Sequence, residues 1–69
     1  MSIGERLRRI RESRNMTQEQ VAKAAGITKP MICQVENGYK NMSLPVAVAV
    51  AEVLNCTVND FLTDNPNLI

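Results

Sequence analysis

The stretch TQEQVAKAAGITKPMICQVENG, residues 17–38, decides the fold of this chain. Its apolar spacing predicts two short helices, and Gly26 between them suits the left-handed turn that ends the first. A helix, a tight turn and a second helix form the unit that places one helix in a DNA groove. The remaining residues can serve as its support.

The length and composition favour one small globular domain. The 69 residues are 45% apolar and 22% charged, with a net charge of +1. They leave room for a single domain, 1–69, with a core over about 3–62 and a C-terminal tail at 63–69. A core this small favours tight helix packing or a dimer. No apolar run approaches the ~18 residues of a membrane span, and no signal-peptide pattern opens the chain. We therefore expect a cytoplasmic protein with no membrane partner.

The charge is unevenly distributed along the chain. All eight basic residues lie in positions 1–40 with four acidic residues, whereas positions 41–69 carry three acidic residues and no basic one. A polyanion would be attracted to the first part of the chain. The alternative is that the arginines of the first helix are solvated surface charges.

Cap signals set the boundaries of the predicted helices. Three hydroxyl residues are each followed three positions later by a carboxylate or amide, the pattern of a capping box: Ser2–Glu5, Thr17–Gln20 and Thr57–Asp60. Thr28 and Ser43 are N-cap candidates without that second residue. With the apolar spacing, these caps predict five helices, over about 3–14, 18–25, 29–37, 44–54 and 58–62.

The segment LPVAVAVAEVL, residues 44–54, has the alternation of a strand. Both of its faces are apolar, however, and the sequence offers no second strand to pair with it. Because Ser43, Leu44 and Pro45 read as the start of a helix, we predict helix 4 here, with Asn55 ending it.

Catalytic and metal-binding patterns are missing from the sequence. The chain has no His and two isolated Cys, and it lacks a glycine-rich phosphate loop and paired carboxylates. We therefore predict no enzyme activity, no metal site and no cofactor, and we infer no small-molecule ligand.

Predicted helix 3 offers a polar face that suits base recognition. By the 3.6-residue period Ile32 and Val35 point inward. The outward residues are Thr28, Lys29, Pro30, Cys33, Gln34 and Asn37. Gln can bond adenine, Lys can donate to guanine, and a Thr methyl or Pro can contact the thymine methyl. From the spacing alone, an ordinary solvated helix surface is the alternative.

These features together resemble the phage-repressor-type helix-turn-helix family, also called Cro/CI-like or XRE. The matching residues extend over about 3–62 and are Leu7, Ile10, Arg11, Met16–Gln18, Val21, Ala22, Ala25–Ile27, Ile32, Glu36–Gly38, Ala51, Leu54, Phe61 and Leu62. The resemblance implies an all-α, lambda-repressor-like domain. It would be a compact bundle of five short helices in which helices 2 and 3 form the helix-turn-helix.

The resemblance also implies roles for individual residues. The positions that match base-reading residues are Thr28, Lys29, Pro30 and Gln34. The positions that match phosphate contacts are Thr17, Gln18, Asn37, Lys40, Asn41 and Ser43. Arg11 and Glu36 match a salt bridge that ties helix 1 to helix 3, whereas Arg9 and Arg14 would be solvated. A dimer surface would involve Asn55, Thr57, Val58 and Phe61, although a lone aromatic such as Phe61 is the type of residue that often lies in the core instead.

The function implied is a sequence-specific regulator of transcription that binds double-stranded DNA. A Cro-like repressor that binds a palindromic operator as a homodimer fits this chain. An antitoxin or a restriction–modification controller protein of the same fold is an alternative. A helical protein-interaction module without DNA binding is an alternative of another class. Two positions depart from the family pattern: Pro30 replaces a polar residue, and Met42 stands where Pro is frequent.

Overall fold

The computed structural model describes residues 2–62. Their order is α1 (Ile3–Ser13), α2 (Gln18–Ala25), α3 (Lys29–Glu36), α4 (Leu44–Leu54) and a 3₁₀ turn at Val58–Phe61. This described part is all-helical, as predicted, and it contains no strand. The predicted tail, 63–69, lies outside the described residues.

The helix starts are set by the predicted caps. The hydroxyls of Ser2 and Thr17 accept the N–H groups of Glu5 and Gln20 at 3.1 and 3.0 Å, and both capping boxes are closed by the return bond. Thr28 and Ser43 cap α3 and α4. Each such cap stabilises a helix by about 1 kcal/mol, so local sequence fixes where these helices begin.

The helix ends depart from prediction in three places. The first and third helices end at Ser13 and Glu36, one residue earlier than predicted. The predicted fifth helix, 58–62, is present as a single turn of 3₁₀ helix, Val58–Phe61, and not as an α-helix. Its backbone bonds span three residues, from Asp60 N to Thr57 O at 3.0 Å and from Leu62 N to Asn59 O at 2.9 Å. The capping box at Thr57 is present, but it starts a tighter turn than an α-helix.

The core lies between α1, α2, α3, α4 and the 3₁₀ turn. Its largest fully buried side chains are Leu7, Val21, Ile32, Val35, Val50, Leu54 and Phe61. The alternating Val–Ala segment is helical, as predicted, and its buried side is formed by Ala47, Val50, Ala51 and Leu54. Phe61 is 1% exposed, so its assignment to a dimer surface is corrected. Its ring lies in the core of its own chain.

The N-terminal turn of α1 packs directly on the backbone at the end of α3. Gly4 is buried there, and a Cβ atom on it would lie 2.0 Å from the carbonyl oxygen of Val35. Only a residue without a side chain permits this approach. The contact fixes α1 against the C-terminal end of α3.

None of the helices in residues 2–62 combines the length and the apolar character that crossing a bilayer requires.

Candidate nucleic-acid interface

The outer side of α3 presents a group of exposed polar side chains. Ile32 and Val35 are buried on the inner side. The four predicted base-reading residues are all exposed: Thr28, Lys29, Pro30 and Gln34. Thr28 also caps the helix, because its hydroxyl accepts the N–H of Met31 at 3.3 Å. The hydroxyl proton of Thr28 stays available to donate to a base or a phosphate.

The N-terminal ends of α2 and α3 lie beside one open cleft. Thr17 and Gln18, two predicted phosphate contacts, line this cleft together with Lys29. A helix N-terminus attracts anions because its first N–H groups lack partners and its dipole is positive there. Here the N-terminus of α2 and the side chain of Lys29 line the same cleft, together with the acidic residues Glu12 and Glu19.

The loop after α3 carries the other predicted phosphate contacts. Asn37, Lys40, Asn41 and Ser43 are all exposed. Gly38 adopts a left-handed φ of 84°, and the N–H of the next residue donates to the carbonyl of Gln34 at 2.8 Å. The loop is thereby held against the end of α3.

Tyr39 is a surface residue that the sequence did not single out. Its side chain is 83% exposed, in the loop between Asn37 and Lys40. Its position in the predicted loop, directly after the helix-ending Gly38, is consistent with this exposure. The phenol adds a further hydrogen-bonding group to this edge of α3.

A buried ion pair joins α1 to α3. The guanidinium of Arg11 donates to both carboxylate oxygens of Glu36, at 2.7 and 3.1 Å. It also donates to the carbonyl of Met16 at 2.8 Å. The side chain of Glu36 is 0% exposed, so Arg11 acts inside the protein and not on its surface.

The pKa of Glu36 is set by two opposing effects. Burial alone raises the pKa of its carboxyl, whereas hydrogen bonds from Arg11, Gln18 and Arg8 lower it, and the net pKa lies below the ordinary value. The pKa of Arg11 is raised, mainly by its hydrogen bonds to Glu36. Both groups are therefore charged at neutral pH.

Three arginines have partners that the sequence did not predict. The Nη1 group of Arg6 donates to the carbonyl of Phe61 at 3.2 Å. Arg14 is exposed, but it is not merely solvated, because its Nε donates to the carbonyl of Leu54 at 2.8 Å. That carbonyl is at the C-terminal end of α4, where helix carbonyls lack intrahelical partners. Arg8 lies 3.4 Å from Glu36 and donates to the side-chain oxygen of Asn37 at 3.2 Å. Arg9 is exposed.

The remaining predicted dimer residues lie after α4. Asn55 ends α4 in a left-handed conformation, with φ 57°, and both Asn55 and Thr57 are exposed. Val58 is half-buried and lines an apolar groove together with Ile3, Asn41, Met42, Leu44, Ala47, Phe61 and Leu62. Two of these apolar residues are open to solvent, Leu44 at 69% and Leu62 at 55%.

The amino-acid sequence of this chain is similar to those of known DNA-binding regulators. A family model described as helix-turn-helix matches residues 7–61. An uncharacterised HTH-type transcriptional regulator of Archaeoglobus fulgidus is 38% identical over 64 residues, which cover 91% of this chain and 90% of that protein. The control protein C.SmaI of Serratia marcescens is 33% identical over 61 residues, which cover 88% of this chain and 73% of that protein.

Among solved structures, the master regulator for biofilm formation SinR, in complex with DNA, superposes with a TM-score of 0.84. It is 26% identical, and the match covers 88% of this chain and 98% of that chain. The similarity therefore extends over almost the whole described fold, including both helices of the helix-turn-helix.

Proposed function

The chain belongs to the helix-turn-helix family (HTH_3), a family of transcription regulators and not of enzymes, and we propose that it is a Cro-like repressor that binds a palindromic DNA operator as a homodimer. One observation carries the proposal: the outward side of α3 is exposed and mainly uncharged. The residues that we propose as phosphate contacts flank it at both ends. Such a face suits recognition of bases, whereas its flanks suit the DNA backbone.

The proposed mechanism places α3 in the major groove. Gln34 would form a bidentate bond with adenine, and Lys29 would donate to guanine. Thr28 and Pro30 would make apolar contacts with thymine methyl groups. The N-terminus of α2 and the loop 37–43 would bind phosphates on the two sides of the groove. With DNA as its partner the protein would act in the cytoplasm, and no cofactor is needed for this mechanism.

Selection from random duplex DNA tests the proposal. We expect the purified protein, at moderate salt, to enrich a palindrome whose half-sites lie about 10 bp apart, because a symmetric dimer presents two copies of α3 to one side of the duplex. Enrichment of a single, unrepeated half-site would contradict the dimer. No enrichment of any duplex sequence would overturn the proposal and favour the protein-interaction alternative.

A restriction–modification controller is a second candidate, favoured by the similarity to C.SmaI. The selected operator separates it from a phage-type repressor. A site upstream of a methyltransferase or endonuclease gene would support the controller, whereas a site between divergent phage promoters would support the repressor.

Gln34→Ala is expected to weaken binding to the selected operator by about 1–3 kcal/mol and to relax the preference at one base pair, because one bidentate base contact is lost. Electrophoretic mobility shifts on the operator and on its single-base variants measure both effects. Glu52→Ala, exposed on α4, serves as the control. Equal weakening on every sequence would show that Gln34 does not read a base.

Lys40→Ala is expected to weaken binding equally on all DNA sequences and to reduce the slope of log affinity against log salt by about 1, because one phosphate contact and its released counterion are lost. Lys23→Ala, exposed on α2, removes the same charge away from the proposed interface. If the two variants give the same slope, Lys40 does not contact phosphate.

Leu44→Glu is expected to convert the dimer to a monomer, because it places a charge on the rim of the apolar groove that contains Val58. Exposed apolar patches of this kind mark protein interfaces. Leu44 is the first residue of α4, where an acidic residue favours the helix, so the variant is expected to fold. Sedimentation equilibrium, with Ala24→Glu as the control, measures the mass. An unchanged dimer mass would remove the groove from the interface.

A further inference from the structure

Three side chains from α1 and α2 donate hydrogen bonds to Glu36, the last residue of α3, and form one cluster with it: Arg8, Arg11 and Gln18. Besides Arg11, the Oε1 atom of Glu36 accepts the Nε2 group of Gln18 at 2.9 Å and the Nε group of Arg8 at 3.4 Å. This carboxylate therefore has more donors than the helix-joining ion pair requires. The two additional donors connect Glu36 to the proposed DNA interface, because Gln18 is one of its residues and Arg8 bonds another, Asn37.

The cluster reaches both flanks of α3. Gln18 is at the start of α2 and is held by Glu36 directly. Asn37 follows α3 and is held through Arg8, whose Nη2 donates to Asn37 Oδ1 at 3.2 Å. Asn37 Nδ2 in turn donates to the Sγ atom of Cys33 at 3.3 Å. The amide groups of Gln18 and Asn37, which we propose as phosphate contacts, are therefore both linked by hydrogen bonds to the buried carboxylate of Glu36.

Charge fixes the orientation of the two amide groups. A carboxylate accepts hydrogen bonds only, so the NH₂ side of Gln18 must face Glu36. A guanidinium donates only, so the oxygen of Asn37 must face Arg8. Each NH₂ group carries two hydrogens, of which one is used inside the cluster. The second hydrogen of each group is left to donate to a phosphate.

We infer that Glu36 is a positioning residue for DNA binding, which acts on Gln18 directly and on Asn37 through Arg8. The inference rests on the proposed function, because it concerns how that interface is prepared before DNA arrives. Side chains already held in the bound conformation lose less freedom on binding, and this raises affinity. Arg8 is therefore expected to affect DNA binding without touching DNA.

A double-mutant cycle between Arg8→Met and Asn37→Ala tests the inference on the selected operator duplex. Arg9→Met is the matched control, because it removes the same charge from an exposed position on the same helix. We expect Arg8→Met to weaken binding about three- to tenfold more than Arg9→Met in the wild-type background. In the Asn37→Ala background, Arg8→Met and Arg9→Met are expected to have equal effects. Fully additive effects of Arg8→Met and Asn37→Ala would overturn the inference.

A measurement on the free protein separates positioning from simple loss of stability. The side-chain NH₂ resonances of Asn37 are expected to shift in Arg8→Met and to stay in place in Arg9→Met. Unmoved resonances in both variants would overturn the inference. A folded Glu36→Gln variant is expected to shift the NH₂ resonances of Gln18. If Glu36→Gln does not fold, the measurement on Arg8→Met decides the inference. A wild-type protein that binds no selected duplex would overturn the proposed function and this inference together, whereas additive effects in a protein that binds would overturn the inference alone.

Discussion

Gly4→Ala is expected to lower the free energy of unfolding by about 3 kcal/mol, the upper end of the range for overpacking a core. The added Cβ would lie 2.0 Å from Val35 O and 2.9 Å from Glu36 O. Both atoms belong to the backbone of α3, so neither can move away as a flexible side chain would. To admit the methyl group, α1 must move off α3, and this also disturbs the ion pair between Arg11 and Glu36.

The sign of this effect is opposite to what helix propensity predicts. Gly4 lies within α1, and replacing a helical Gly by Ala normally stabilises a helix by about 1 kcal/mol. Thermal and urea unfolding distinguish the two outcomes, because a loss of about 3 kcal/mol lowers Tm by about 15 °C in a domain of this size. Gly26→Ala is the control. Its Cβ would meet nothing within 4 Å, but its φ is +75°, so only the cost of a left-handed residue, about 1–2 kcal/mol, is expected. A Gly4→Ala variant as stable as the wild type would show that α1 does not pack on α3 in this way.

Gly4 illustrates which parts of the fold the sequence can and cannot predict. Caps and left-handed stops depend on residues a few positions apart, and so the starts of all four α-helices were predicted correctly. The alternating segment 44–54 was recognised as a helix because both of its faces are apolar. Gly4, by contrast, is required by residues more than thirty positions away. Nothing in its own neighbourhood distinguishes it from a glycine that merely weakens a helix.

In the candidate site, too, the sequence predicts what depends on nearby residues and does not predict contacts between distant ones. The exposure of the outer residues of α3 follows from the 3.6-residue period, which is a local property. The partners of Arg8 and Arg14 lie on other helices, at Glu36, Asn37 and Leu54. Identical residue types in one helix therefore have different roles, and charge patterning alone cannot separate them. Phe61 is a similar case, since burial in the core depends on how the turn after α4 packs.

Arg11→Met is expected to lower the free energy of unfolding by about 3 kcal/mol at pH 7, because it leaves a buried carboxylate without its main partner. Met has a long apolar side chain, so the loss reports on charge and hydrogen bonding more than on a cavity. Arg9→Met removes the same charge from the surface of α1 and is expected to change stability by less than about 0.5 kcal/mol. Chemical unfolding of the three proteins measures the difference. Equal stabilities of the two variants would contradict the buried ion pair.

The pH dependence gives this prediction a second, independent test. In the wild type the pKa of Glu36 lies below its ordinary value of 4.5, so its contribution is present above about pH 4.5 and is lost as pH falls through the lower pKa of the folded state. In Arg11→Met the hydrogen bonds from Arg11 are lost, so burial is expected to raise the pKa of Glu36. Protonation at low pH then removes the unpaired buried charge and favours the folded variant. The stability difference between wild type and Arg11→Met should therefore be largest near neutral pH and should shrink as pH falls below about 5. A difference that stays constant from pH 7 to pH 4 would show that the arginine stabilises the fold through packing and not through the charge of Glu36.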